Sequence, residues 1–392
     1  MPIWSRPPPP ESLLFRHRQL APTASVRVSP ICLGTMNFGE HDKTYLGECS
    51  KDTAFEILDT FKSLGGNFID TAVAYQGGDS ETWIGEWLRS RNCRDQMIIA
   101  TKYTGPYQTK YKATMIQSNF GGNGSKSLRL SVEKSLERLQ TTYVDILYVH
   151  WWDFTATISE VMHSLNDLVV AGKALYLGIS DTPAWIVAKA NQYARDHGLR
   201  QFVVYQGMWN AAWRDVERDV VPMCRDEGMA MLAYGSLGQG RFQTKDGFKE
   251  REDNNTGRKG MPSETEKAVS AALQGIAEAK NAAITSVAMA YIMQKAPYVF
   301  PLIGGRKLDH LKSNLDALRI VLSREDVAKI EAAMYFNPGF PHTFLTGTLL
   351  GQQDDTQHTV LEGPNDVWLT YLQGTFDFVE PQKAIKPFVK QD

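Results

Sequence analysis

The stretch AFEILDTFKSLGGNFID (54–70) contains the unit from which the fold is read. AFEILDTFKSLG (54–65) has the apolar periodicity of an amphipathic helix, and Gly65 supplies the stop. NFID (67–70) follows as a short strand with an aspartate at its end. The unit then repeats. SETWIGEWLRS (80–90) precedes QMIIATK (96–102), SLRLSVEKSLERLQ (127–140) precedes YVDILYVH (143–150), and TISEVMHSLNDLVVAG (157–172) precedes ALYLGIS (174–180). A helix opened by Pro183 leads to QFVVYQ (201–206), and VERDVVPMCRDEG (216–228) to MAMLAYG (229–235). After a polar stretch from Gly238 to Pro262 come helix 263–280, a second helix around VAMAYIMQK, strand YVFPLIG (298–304) and helix 308–318.

Upstream, the β-rich run VRVSPICLG (26–34) supplies the first strand, which brings the count to eight strands, each followed by helical pattern. Eight is the number that closes a parallel (β/α)8 TIM barrel, an α/β fold. An open doubly wound sheet is the alternative, but no G-x-G-x-x-G opens a first βα turn. The expected organisation is a leader over 1–25, a barrel over 26–336 and a C-terminal extension over 337–392. Segments 102–126 and 238–262 are long polar loops on the active face, of the length that lids have. The extension is expected to cover the pocket or to mediate oligomerisation.

With 42 basic and 44 acidic residues well mixed along 392, nothing tracks a phosphate backbone, and nucleic acid is not an expected partner. No run approaches the roughly 18 apolar residues of a membrane span. The opening MPIWSRPPPP lacks the apolar core of a secretory signal, so a cytoplasmic protein is expected. Cys32, Cys49, Cys93 and Cys224 lie far apart without a C-x-x-C pair, which predicts buried thiols rather than disulfides or a metal site.

In a βα barrel every strand delivers its last side chain to one face, where active sites lie. Here those ends are polar: Asp70, Lys102, His150, Ser180 with Asp181, Gln206, Tyr234, and Arg306 just beyond the last strand. Asp70, Tyr75, Lys102 and His150 form a chemically complementary group. A phenol is a weak acid near neutrality; an ammonium beside it lowers its pKa, and a carboxylate keeps that ammonium charged and aimed. An imidazole across the substrate oxygen donates a hydrogen bond as negative charge builds. Each has a plainer role open to it: a capping Asp70, an amphipathic rim Tyr75, a solvated Lys102, a core His150. Lys102 as a Schiff-base nucleophile is a further alternative.

GGNFIDTAVAYQ, IIATKY, VDILYVHWWD, LGISDTPAW, YQGMWN and FPLIGGRKLDHLKSN together resemble the aldo-keto reductase superfamily, and within it the fungal aryl-alcohol dehydrogenase and norsolorinic acid reductase branch, from about Val26 to Pro341. The resemblance implies reduction of an aldehyde or ketone by NADPH. It makes Asp70, Tyr75, Lys102 and His150 a catalytic tetrad with Tyr75 as the acid. It assigns Ser180, Asp181 and Gln206 to the nicotinamide carboxamide and Tyr234 to ring stacking. Asp181 stands where the family usually has asparagine, and an ionised aspartate only accepts hydrogen bonds. Gly304, Gly305, Arg306, His310 and Asn314 match the phosphate-binding positions, with Lys307 beside them, at a helix start where free amides attract anions. His310 replaces a more usual arginine or glutamine. Phe38 and Trp151 are the candidates to contact a flat carbonyl substrate. A non-catalytic NADP(H)-binding regulatory or scaffold protein of the same fold is the rival from another class.

Overall fold

A computed structural model describes residues 4, 8, 10–244, 246–249, 262–306, 308–351, 361 and 363–387. Its centre is a closed barrel of eight parallel strands: β3 (Cys32–Gly34), β4 (Phe68–Asp70), β5 (Ile98–Tyr103), β6 (Val144–Val149), β7 (Ala174–Ser180), β8 (Phe202–Met208), β9 (Ala230–Tyr234) and β10 (Val299–Gly304). β10 pairs with β3 and closes the ring. Helices surround it, among them Lys51–Ser63, Asp79–Arg91, Ser125–Leu139, Ile158–Val170 and Ala184–Asp196. Three of these start at a signal in the sequence: Ser50 and Thr157 cap theirs through their hydroxyls, and Pro183 occupies the cap of another.

Two expected elements resolve differently. The apolar run 26–34 is not one strand. Ala24–Val28 is β2, which pairs antiparallel with β1 (Arg18–Ala21), and the barrel strand begins only at Cys32. Ser29 and Pro30 break the run between them. The helix expected over 216–228 begins with a short 3-10 turn, Asp215–Glu217, and becomes α-helical only over Val220–Asp226. Pro222 has no N–H to give to the preceding turn, which restricts where a continuous helix can run.

The hairpin gives the leader a function in the fold. Leu20, Ala21, Ala24 and Val28 are buried in one cluster with barrel-interior residues Cys32, Phe68, Ala100, Ile146, Val204, Leu232 and Phe300. They plug the end of the barrel where the strands start. A second, larger cluster lies between the strands and the helices. Strand alternation then fixes the site: Phe68, Ala100, Ile146, Val204 and Leu232 face inward, so residues two positions on along each strand face inward as well. At the strand ends those positions are Asp70, Lys102, Gln206 and Tyr234, with His150 two beyond the inward Tyr148. Gly178 serves the same interior, because a Cβ there would lie 2.4 Å from the Tyr148 ring.

The described part of the extension makes contacts at both ends of the barrel. Arg218 Nε donates to the Asn337 carbonyl (2.9 Å), beside the loop that follows β8. Farther along, Gln382 Nε2 donates to Tyr298 Oη (3.2 Å), at the start of β10 and therefore at the opposite end of the barrel from the strand-end residues. Of the long polar loops, residues 250–261 lie outside the described residues.

Candidate active site

Lys102 is the hub of the strand-end layer. Its ammonium is wholly buried, pairs with Asp70 Oδ1, and donates to the Thr71 carbonyl (2.9 Å) and to Tyr75 Oη (3.2 Å). Asp70 Oδ2 accepts from Gln206 Nε2 (2.9 Å), so both carboxylate oxygens are held. Burial works against the Lys102 charge, but Asp70 and then Tyr75 outweigh it and hold the pKa above the ordinary lysine value. A Schiff-base nucleophile needs a neutral amine, so this environment speaks against that alternative.

Tyr75 departs from the expectation. Lys102 does favour the phenolate, but burial is the larger influence and Asp70 reinforces it, so the phenol is held above its ordinary pKa. It is kept protonated and within reach of the ammonium, which suits a proton donor. His150 lies edge-on to it, ring centroids 5.9 Å apart at 76°. Burial, then the Lys102 charge, pulls the imidazole pKa down to about 3, so the ring is neutral at physiological pH. Its Nδ1 is buried with no hydrogen-bond partner among the described residues. A neutral ring has one N–H, and with that proton on Nε2 it is a hydrogen-bond donor through that atom.

The next strand ends are linked to this group. Tyr234 Oη lies 3.3 Å from both carboxylate oxygens of Asp181, whose own amide donates to the Gln206 carbonyl (3.2 Å). Asp181 has a left-handed φ of +40°, which turns the chain sharply at the end of β7. Desolvation at the barrel mouth raises its pKa to about 6, against the pull of the Tyr234 hydroxyl and the Lys102 charge. Ser180 is buried beside it. The expected phosphate end runs past β10: Gly304 and Gly305, then helix Leu308–Leu315, with His310 exposed and Asn314 buried. Arg306 packs on the loop after β3, where a Cβ on Gly47 would come 1.8 Å from Nη1. Lys307 lies outside the described residues.

The two aromatic candidates separate. Trp151 is 36% exposed and sits against His150, ring centroids 4.9 Å apart. Phe38 is completely buried in the core cluster. Asn123 was not legible beforehand. It donates through Nδ2 to Thr104 Oγ1 (3.0 Å) and the Trp151 carbonyl (3.0 Å), and exchanges hydrogen bonds with Asp153 through its own amide and Oδ1 (2.8 and 2.7 Å). It thereby pins the long loop after β5 to the segment that carries His150 and Trp151. Nothing in the SNFGGNGSK context marks that asparagine apart from other loop residues.

Residues 30–334 match the model of the Aldo/keto reductase family. The chain belongs to this family. It is 61% identical to norsolorinic acid reductase B of Dothistroma septosporum over 374 residues, 95% of this chain and 94% of that protein. Norsolorinic acid reductase B of Aspergillus parasiticus is 56% identical, with 96% and 98% of the two chains covered. An aryl-alcohol dehydrogenase of Pestalotiopsis microspora is 52% identical, with 97% and 96% covered. The protein is therefore an oxidoreductase acting on small-molecule carbonyl substrates, of a family that uses NAD(P)H. All four cysteines of this aldo/keto reductase are free and buried. Among the described residues there is no cluster able to hold a metal ion, and no helix long and apolar enough to cross a membrane.

Proposed function

We propose that the protein transfers hydride from NADPH to an aromatic or polyketide-like aldehyde or ketone, with Tyr75 protonating the nascent alkoxide, and that the reverse oxidation uses the same groups. The observation that carries this reading is the Tyr75 hydroxyl, 3.2 Å from a buried ammonium that Asp70 holds charged, with the neutral His150 ring across from it. Hydride arriving at the carbonyl carbon leaves charge on the oxygen. His150 Nε2–H and the Tyr75 hydroxyl are the donors for that charge, and Tyr75 passes its proton to it. Lys102 then stabilises the phenolate that remains.

Bound NADPH would supply the hydride. Its nicotinamide is assigned to Ser180, Asp181, Gln206 and Tyr234, and the donor set fits a carboxamide: the Asp181 carboxylate accepts from its NH2. Gly304, Gly305, Arg306, His310 and Asn314 are assigned to the phosphate end, with Arg306 and His310 favouring the 2'-phosphate of NADPH over NADH. Trp151 is the substrate-facing aromatic of this reading. The norsolorinic acid reductase and aryl-alcohol dehydrogenase names of the relatives support a flat aromatic substrate. The test is steady-state oxidation of NADPH and of NADH with a panel of aromatic aldehydes. Turnover with NADPH at a lower KM than NADH is expected. Absence of turnover with every carbonyl, despite NADPH binding, would favour the regulatory protein instead.

A further inference from the structure

Tyr75 reaches Lys102 from an unusual piece of backbone. The three residues after it, Gln76, Gly77 and Gly78, all have positive φ (+53°, +62° and +107°). Consecutive left-handed residues, one of them not glycine, do not hold themselves, so such a turn persists only where its surroundings fix it. On the outer side Gln76 is fixed by its own side chain, Oε1 accepting from the Asp42 amide (2.7 Å) and Nε2 donating to the Met36 carbonyl (3.2 Å). On the inner side Thr82 Oγ1 donates to the Gly78 carbonyl (3.0 Å) and the Gly77 amide to the Ala74 carbonyl (3.3 Å), and a guanidinium bridges the two flanks of Tyr75. Arg138 donates through Nη1 to the Val73 carbonyl (2.7 Å) and through Nη2 to the Gly77 carbonyl (3.4 Å), so it spans the Tyr75 peptide from two residues before to two after.

That guanidinium is itself held. Nη1 also meets Glu81 Oε2 (3.3 Å); Glu81 is fully buried, and its Oε1 accepts from Thr101 Oγ1 (2.7 Å), the residue before Lys102. Two glycines make the arrangement sterically feasible. A Cβ on Gly78 would lie 2.2 Å from the Arg138 guanidinium carbon, and one on Gly85 would lie 2.2 Å from the Arg138 carbonyl. Gly85 thus lets helix Ser125–Leu139 approach helix Asp79–Arg91 closely enough for the side chain to reach the turn. An arginine in the last turn of a helix ordinarily caps its own carbonyls. This one donates to another segment instead.

We propose that Arg138, held by Glu81, is a positioning residue for Tyr75: it fixes the left-handed turn that sets the phenol against Lys102. The functional part rests on Tyr75 being the proton donor. The test uses the full-length chain with 3-fluorotyrosine at position 75, as wild type, Arg138→Met and Arg138→Lys, and reads the fluorine resonance, its pH titration, NADPH affinity and turnover. In Arg138→Met the resonance broadens and shifts, and its titration midpoint moves, as the phenol loses its fixed place beside Lys102. In the same variant kcat drops by about 10²-fold, the scale of a small misplacement at a reacting group, with KM and NADPH affinity little changed. Lysine, which cannot fork between two carbonyls and a carboxylate, restores both readouts in part. If Arg138→Met does not fold, Arg138→Lys carries the same comparison. An unmoved resonance and titration, whether or not the melting temperature falls, would make Arg138 a packing residue and overturn the proposal. A wild-type chain that consumes no NADPH with any carbonyl would remove the reductase reading alone, and the fluorine comparison would still decide the role of Arg138.

Discussion

At the end of the barrel where the strands begin, inward positions are occupied by Phe68, Ile146 and Phe300 and sealed by Leu20, Ala21, Ala24 and Val28 of the hairpin. At the other end the same inward rows finish in Asp70, Lys102, His150, Gln206 and Tyr234. The backbone pattern is shared, and only the residue types differ. The first end removes apolar surface from water at no electrostatic cost. The second buries a carboxylate and an ammonium, whose desolvation is recovered only while every partner is in place. Stability and chemistry are therefore assigned to opposite ends of one interior.

Removing a partner from the polar end should break that division most severely. Lys102→Met leaves Asp70 a buried, uncompensated charge; the expected loss is about 3–5 kcal/mol in urea unfolding, together with turnover. Adding Asp70→Asn to that variant should return much of the stability and none of the activity. At the apolar end Leu20→Ala should cost about 2–5 kcal/mol by the same measurement, because Leu20 is fully buried, yet leave kcat unaltered. Loss of kcat without loss of stability there would contradict the division.

Two pH experiments sharpen it further. The His150 pKa of about 3 lies below its unfolded value of about 6.5, so the unfolded chain binds the extra proton between these values. Stability should therefore decline as pH falls through that window, and His150→Gln should flatten the decline in denaturant midpoints. The smallest effect belongs to Asp181, whose carboxyl ionises at about pH 6. Asp181→Asn should remove the component of NADPH affinity, followed by nicotinamide fluorescence, that changes around that pH.

The alternation of strand and helix was legible because each unit carries its own periodicity and stop signal, as residues 54–70 do. The polar strand ends were legible for a related reason: a barrel leaves its last inward residue no other place to go. What the sequence hid was context. Val26 to Gly34 looks like one strand because β propensity does not say which neighbour a strand pairs with, and half of it joins the hairpin. How deeply Phe38 is buried was also hidden, since an aromatic in a loop reads the same whether it packs inward or outward. The direction of the Tyr75 shift depended on burial, which no spacing reports. Arg138 resembles any charged residue on a helix surface until Gly78 and Gly85 are seen to let it in.

Hydride transfer in a single turnover tests the central claim most directly. Enzyme preloaded with NADPH is mixed with an aromatic aldehyde, and loss of nicotinamide absorbance is followed for wild type and for Tyr75→Phe. The account predicts unchanged NADPH binding and transfer slowed by about 10²-fold or more in the variant. A variant that transfers hydride at the wild-type rate would contradict it.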